Sequence, residues 1–148
     1  MIVERLAQLG YQFEPAQLQI YTFHSAVRVG DLVFTSGQLP RLGSTQIKGK
    51  VGGDVDVATA KKAAEICAYN CICAAGAVVD IAKITRVVKV LGLVNAADGF
   101  DQMSEVINGA STFYTDVFGE QGYHARSAVG AMLPLNWAVE IETIFSVA

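Results

Sequence analysis

The sequence predicts an α+β domain in which a single β-sheet packs against two helices on one of its faces. Stretches rich in β-branched and apolar residues occur at 21–38, 84–94 and 125–147. Between them, residues 57–75 and 102–118 have apolar side chains at helical spacing. This order favours one sheet backed by a pair of helices. A chain of 148 residues also has the size of one domain, without an internal boundary.

Residues 1–20 are predicted to form an N-terminal extension, first helical and then irregular. Ile2, Leu6 and Leu9 share one helical face, and Gly10 provides a stop. Pro15 and several glutamines then interrupt any regular pattern.

The clearest hairpin joins 21–29 to 32–38. The two-residue connection Gly30-Asp31 suits a tight turn. It sets a register in which Val29 lies opposite Leu32. Because such facing side chains are apolar, one face of the ribbon is apolar. A glycine-rich loop covers 39–53.

The first long helix is predicted to begin after Asp56, which is a good N-cap, and to end near Gly76. One face of this helix consists of small side chains, which allow close packing on a sheet: Ala60, Ala63, Ala64, Cys67, Cys71 and Ala74.

A buried central strand is predicted at 84–94, because this stretch is rich in Val, Ile and Leu. The second helix then covers 102–118 and stops at Gly119. The last two strands, Ala125–Met132 and Trp137–Val147, are predicted to pair as a terminal hairpin. With both helices on one side, the other face of the sheet has no cover.

The terminal strands contain the charged groups of greatest interest. Arg126 stands among small and apolar neighbours, and strand alternation places Glu140 and Glu142 on one face. Charged residues are seldom buried unless paired. Arg126 therefore either anchors a planar anion such as a carboxylate or pairs with one of these glutamates. Glu140 either holds a water molecule and moves a proton, or serves as that ion-pair partner.

Ser36 and Gly37 end the second strand of the first hairpin. The surrounding Thr35-Ser36-Gly37-Gln38 is not a nucleophile elbow. A hydroxyl that touches a ligand is therefore the better interpretation of Ser36. Gly37 would let another backbone or a ligand approach closely.

Composition and charge narrow the range of partners. The chain is 52% hydrophobic, with a net charge of −3 and no cluster of Lys and Arg. Nucleic acid is therefore not the expected partner, since phosphate neutralisation requires a basic face. The surplus of apolar residues favours an oligomer.

No membrane span and no secretory signal are expected. The longest uncharged run, 66–79, is too short to cross a bilayer, and Glu4 and Arg5 interrupt the N-terminus. The three cysteines lie within one helical run, which favours small buried side chains in a reducing, cytoplasmic setting. His24 and His124 lack metal-binding spacing, so no metal site is expected.

Two motifs resemble the signatures of the YjgF/RidA family. Residues 26–40 (AVRVGDLVFTSGQLP) are similar to its N-terminal signature. Residues 125–129 (ARSAV), Leu133-Pro134 and Val139-Glu140-Ile141-Glu142 are similar to its C-terminal one. The resemblance covers about 21–147. It implies a chorismate-mutase-like fold, one mixed sheet with two helices on one face, assembled as a homotrimer with ligand clefts between subunits.

The resemblance also implies an activity that needs no cofactor. Family members hydrolyse reactive enamines and imines, such as 2-aminoacrylate, to 2-oxo acids and ammonia. By position, Arg126 matches the arginine that grips the substrate carboxylate, and Glu140 matches the glutamate that positions the attacking water. A backbone N–H near Ala128 is a further anchor, and the expected partner is a small carboxylate-bearing metabolite.

The chain departs from the family pattern at several places, and one of them is Ala128, which stands where family members frequently have a cysteine. Phe23 stands at the position of the deaminase tyrosine, and the family asparagine aligns ambiguously with Ser104, Asn108 or Ser111. Two alternatives to the deaminase therefore stay open. One is a non-catalytic trimer that binds a small carboxylate as a sensor or regulator. The other is an RNA-acting inhibitor of translation, which the acidic composition disfavours.

Overall fold

The computed structural model describes residues 1–148. Its three helices are α1 (Ile2–Gln8), α2 (Val57–Ala75) and α3 (Met103–Phe118). Its strands are β1 (Gln19–Ile20), β2 (Phe23–His24), β3 (Ala26–Val29), β4 (Leu32–Thr35), β5 (Arg41–Leu42), β6 (Thr45–Gln46), β7 (Ile84–Asn95), β8 (Ala125–Ala131) and β9 (Val139–Val147).

Five of these strands form the main sheet, in the order β3-β4-β9-β7-β8. The pairings β3–β4, β4–β9 and β7–β9 are antiparallel, whereas β7–β8 is parallel. Both long helices, α2 and α3, pack on one face of this sheet. The α+β class, the mixed sheet and the one-sided helix layer are therefore confirmed.

The predicted terminal hairpin is wrong. β8 and β9 are not neighbours, because β7 lies between them and pairs with both. The α3 crossover returns the chain parallel to β7, which is how parallel strands must be connected. A short 3-10 helix at Pro134–Asn136, in which Leu135 and Asn136 have positive φ, then takes the chain across the end of β7.

The first hairpin has the predicted register, with Val29 opposite Leu32 across Gly30-Asp31. Its strands are shorter than predicted. Tyr21, with a φ of 54°, lies in the turn that precedes β2, and the rest of the stretch divides into β2 and β3 at Ser25. β4 ends at Thr35, and only a single bridge from Gln38 to Ile141 continues the pairing.

The two long helices begin, end and pack as their sequences indicate. Asp56 caps α2 by accepting a 2.8 Å hydrogen bond from the backbone N–H of Thr59. The small-residue face of α2 is fully buried. α3 buries Val106, Ala110, Phe113 and Val117 and ends at Gly119. No helix combines the length and apolar character that crossing a bilayer requires.

The opposite face of the sheet is open in the single chain. Alternation along the strands places exposed or half-exposed apolar side chains on this face: Val27, Val29, Leu32, Phe34, Leu91, Leu93, Val129 and Ile144. Glu140 and Glu142 lie on the same face, as predicted, opposite Leu93 and Leu91 on β7. An apolar face of this extent is typical of a subunit interface.

Close approach of α2 and α3 depends on Gly109. A Cβ atom at this position would lie 2.8 Å from the carbonyl carbon of Lys61 and 2.9 Å from its Cα. These are backbone atoms of α2, which cannot rotate away as a side chain can.

Gly109→Ala should therefore destabilise the protein, although alanine is the better helix former by about 1 kcal/mol. Overpacking of this kind typically costs about 1–3 kcal/mol, and the helices would have to separate. We expect a lower denaturant midpoint with an unchanged m-value. Gly53→Ala is the control, because its Cβ would meet its nearest neighbour at an ordinary 3.4 Å. Equal stability of the two variants would contradict this packing.

Candidate functional site

Arg126 is held against α3 by two hydrogen bonds. Its Nη1 donates to Oγ of Ser111 at 3.0 Å, and its Nη2 donates to the carbonyl oxygen of Ser104 at 3.2 Å. Arg126 lies opposite Val90 on β7, so its side chain emerges on the helix-covered face of the sheet. The guanidinium is half-buried and keeps further N–H donors for a ligand.

His124 continues this hydrogen-bonded group. Its Nε2 lies 3.0 Å from Oγ of Ser111, and its Nδ1 lies 2.6 Å from the carbonyl oxygen of Gly122. The ring meets Tyr114 edge-on at a centroid distance of 5.8 Å. Burial lowers the pKa of His124, and the positive charge of Arg126 acts in the same direction. The imidazole is therefore neutral at pH 7.

A cavity of about 390 Å³ opens beside these groups. Its lining is almost entirely polar and comes from one face of α3 and from the segment that enters β8: Asn108, Ser111, Thr112, Thr115, Tyr123, His124 and Arg126. This volume would hold a small metabolite. We call this cavity and its lining the arginine half-site.

Glu140 lies on the other face of the sheet, against Gly37. Paired backbone hydrogen bonds between Gln38 and Ile141 bring the two segments together. A Cβ at residue 37 would collide with the Glu140 carboxyl group, whose Cδ is 2.9 Å away. The sequence predicted that a backbone or a ligand would approach Gly37 closely, and the group that does so is the carboxylate of Glu140 in the same chain. Burial, with the nearby charge of Glu142, raises the pKa of Glu140.

A second cavity, of about 370 Å³, lies next to Gly37. It is lined by Ala16, Gln17, Ile20, Phe23, Ser25, Ser36, Gly37, Gln38, Leu39 and Arg41. The hydroxyl of Ser36 donates to the carbonyl oxygen of His24 at 2.6 Å, whereas the buried hydroxyl of Ser25 has no partner within the chain. We call this cavity together with Glu140 the glutamate half-site.

The two charged side chains, Arg126 and Glu140, lie on opposite faces of one sheet. Arg126 shares the helix-covered face with Val90, and Glu140 shares the open face with Leu93. The ion pairs of the chain include neither residue. An intrachain partnership of Arg126 with Glu140 or Glu142, which the sequence left open, is therefore not formed.

The comparisons with known proteins settle the family. A family model described as Endoribonuclease L-PSP, the family also known as YjgF/RidA, matches residues 14–147. The chain belongs to this family. Protein TCP17 of Trypanosoma cruzi is 35% identical, over 97% of this chain and 92% of its own.

Solved structures of the YjgF/RidA family have the same fold. Atu1372 of Agrobacterium tumefaciens, a protein of unknown function, is 40% identical with a TM-score of 0.91, over 99% of this chain and 92% of its own. The YjgF protein of E. coli is similar at 24% identity and a TM-score of 0.62, over 88% of this chain and 92% of its own.

Within this family fold, the predicted site residues divide between the half-sites. Arg126 and Ser104 lie together, although Ser104 contributes its backbone carbonyl and not its hydroxyl. Ala128 follows Arg126 on the same face of β8, opposite Gly92. Phe23, Ser36 and Gly37 line the glutamate half-site.

Reasoning from the sequence missed the role of His124 and Ser111. One signal was available, because residues two apart on a strand share a face and His124 precedes Arg126 by two. Ser111 was one of three residues that could align with the family asparagine, and only the packing of α3 on β8 distinguishes it from the other two. No group of three His, Cys, Asp or Glu side chains is arranged to hold a metal ion.

The pKa of His124 should depend on Arg126. Removing the neighbouring positive charge with Arg126→Gln should raise this pKa toward its ordinary value, which NMR titration of the ring can measure. Lys48→Gln, which removes a positive charge placed over Trp137, is the control and should leave the His124 titration unchanged. An unchanged His124 titration in Arg126→Gln would contradict the observed geometry.

Proposed function

We propose that the protein is a cofactor-free deaminase that hydrolyses small, reactive enamines and imines of the 2-aminoacrylate type to 2-oxo acids and ammonia. The observation that supports it most is the state of Arg126. This cation is held by α3 at the edge of a polar cavity, and no carboxylate of its own chain neutralises it. A substrate carboxylate would complete its set of charge-assisted hydrogen bonds.

The complete site in this proposal forms between subunits of a homotrimer. Arg126 and Glu140 emerge on opposite faces of one sheet, so one chain cannot direct both at the same small molecule. The open apolar face and the unpaired edge of β8 supply the surfaces that subunits would bury. In the trimer, the arginine half-site of one subunit adjoins the glutamate half-site of the next.

The proposed reaction is a hydration followed by loss of ammonia. The enamine tautomerises to the imine, and Arg126 fixes its carboxylate. Glu140 positions a water molecule for addition to the C=N carbon. Its half-buried carboxyl group, with a raised pKa, suits hydrogen bonding to that water. Much of the rate enhancement comes from positioning.

One departure favours a second candidate, a trimer that binds a small carboxylate without turnover. The family tyrosine position is Phe23, which lines the glutamate half-site and offers no hydroxyl. The carboxylate anchor would serve such a sensor equally well. An action on RNA is not proposed, because the chain has a net charge of −3 and no basic cluster.

The deaminase proposal predicts distinct defects for the two residues. Arg126→Ala should lower kcat/KM by about 100-fold or more, because charge-assisted hydrogen bonds contribute about 1.5–3 kcal/mol each. Glu140→Gln should lower kcat with little change in KM, since it disturbs the water and not the anchor. The assay generates the imine with an amino-acid oxidase and follows ammonia release.

Glu142→Gln is the matched control, because Glu142 lies on the same strand and the same face, two residues from Glu140. It should retain wild-type turnover at pH 7. The wild type could fail to turn over both small and bulky imino acids and yet bind a 2-oxo acid. If Arg126→Ala abolished that binding, the binding protein would replace the deaminase as the proposed function. If Arg126→Ala retained both turnover and binding, both proposals would be contradicted.

A further inference from the structure

The arginine half-site contains a serine and a histidine, Ser111 and His124, that have no role in the reaction proposed above. We propose that Ser111 and His124 form a proton relay beside the bound substrate. In it, Ser111 Oγ exchanges a proton with the attacking water and His124 Nε2 holds that proton. Ser111 is then a catalytic residue, and His124 acts through it. This inference rests on the deaminase proposed above.

The hydrogen-bond partners fix the direction of the relay. A carbonyl oxygen can only accept, so His124 must donate its Nδ1 proton to Gly122. Nε2 is then the unprotonated nitrogen. The guanidinium of Arg126 can only donate, so it occupies an acceptor lone pair of Ser111 Oγ. The serine proton is thereby left to point at His124 Nε2, 3.0 Å away.

The surroundings keep the imidazole oriented and neutral. Tyr114 of α3 and Arg126 of β8 face the ring. Tyr123 lines the same cavity, and Arg86 of β7 donates to the carbonyl oxygen of Tyr123. Lys89 of the adjacent β7 lies opposite Ala125 and so points to the open face. Half-burial and the Arg126 charge disfavour the imidazolium ion. A neutral imidazole that accepts from a hydroxyl and is oriented through its other nitrogen has the geometry of a general base.

The proton transfers balance in the proposed hydrolysis. The imine first takes up a proton from solvent. As the C–O bond forms, the π pair of the protonated imine moves onto nitrogen. One water proton passes to Ser111 Oγ while the serine proton passes to Nε2. The relay then returns a proton to the amine nitrogen, and the C–N bond breaks with its pair leaving in ammonia. The remaining hydroxyl loses its proton to solvent and becomes the 2-oxo group.

A glutamine at position 124 separates a relay from a structural role. Its amide oxygen can still accept the hydrogen bond from Ser111, but it cannot take up a proton. We therefore expect His124→Gln to fold normally and to bind a 2-oxo acid such as pyruvate with wild-type affinity. Its kcat should fall by about 100-fold, the lower range of general acid–base contributions. Ser111→Ala should lower kcat similarly, and the double variant should lose no more than either single variant.

The pH profile provides a second readout. Because the relay needs neutral His124, wild-type kcat should decline as the pH falls below the His124 pKa, which lies below its ordinary value of 6.5. The part of this decline that is due to His124 should be absent from the residual activity of His124→Gln, in which only protonation of Glu140, whose pKa is raised, would still lower kcat. A control substitution outside both half-sites, Thr59→Ala, should retain the wild-type profile.

The outcomes separate the two proposals. Wild-type turnover with unchanged kcat and an unchanged pH profile in His124→Gln would overturn the relay and leave the deaminase standing. Additive losses in the double variant would also overturn it, because the two residues would then act separately. Absence of wild-type turnover would overturn the deaminase itself, and with it any relay in that reaction.

Discussion

The site depends on a single geometric constraint, the alternation of side chains across a β-sheet. β8 and β9 flank the same central strand, yet the register directs Arg126 to the helix-covered face and Glu140 to the open face. Neither charge can neutralise the other within the chain. The cation stays available to an anion, and the carboxyl group stays next to Gly37 with a raised pKa.

The helix layer completes the arginine half-site. Small residues on α2 and Gly109 on α3 bring these helices close to each other and to the sheet. That packing places the polar face of α3 beside the strand that contains Arg126. Ser111 can then bridge Arg126 and His124. The packing of α3 on the sheet thus brings together the residues whose hydrogen bonds form the site.

The sequence predicted local features well and strand neighbours less well. Capping by Asp56 and the turn at Gly30-Asp31 depend on adjacent residues, so short-range patterns were sufficient. The pairing of β8 with β7 depends on a crossover through α3, and nothing local distinguishes it from a terminal hairpin. The same limit hid the serine–histidine contact, since Ser111 and His124 are brought together only by helix-on-sheet packing. Strand periodicity did place Glu140 and Glu142 on one face, as observed.

The most direct test of a site shared between subunits is to mix two defective chains. Arg126→Ala and Glu140→Gln would each be purified, then unfolded and refolded together in equal amounts. If the site spans two subunits, a Glu140→Gln chain supplies the arginine and an Arg126→Ala neighbour supplies the glutamate. Random assembly into trimers should restore about a quarter of the wild-type sites and of the wild-type turnover. Mass spectrometry would verify that mixed assemblies have formed. If these assemblies were as inactive as either variant alone, a site shared between subunits would be contradicted.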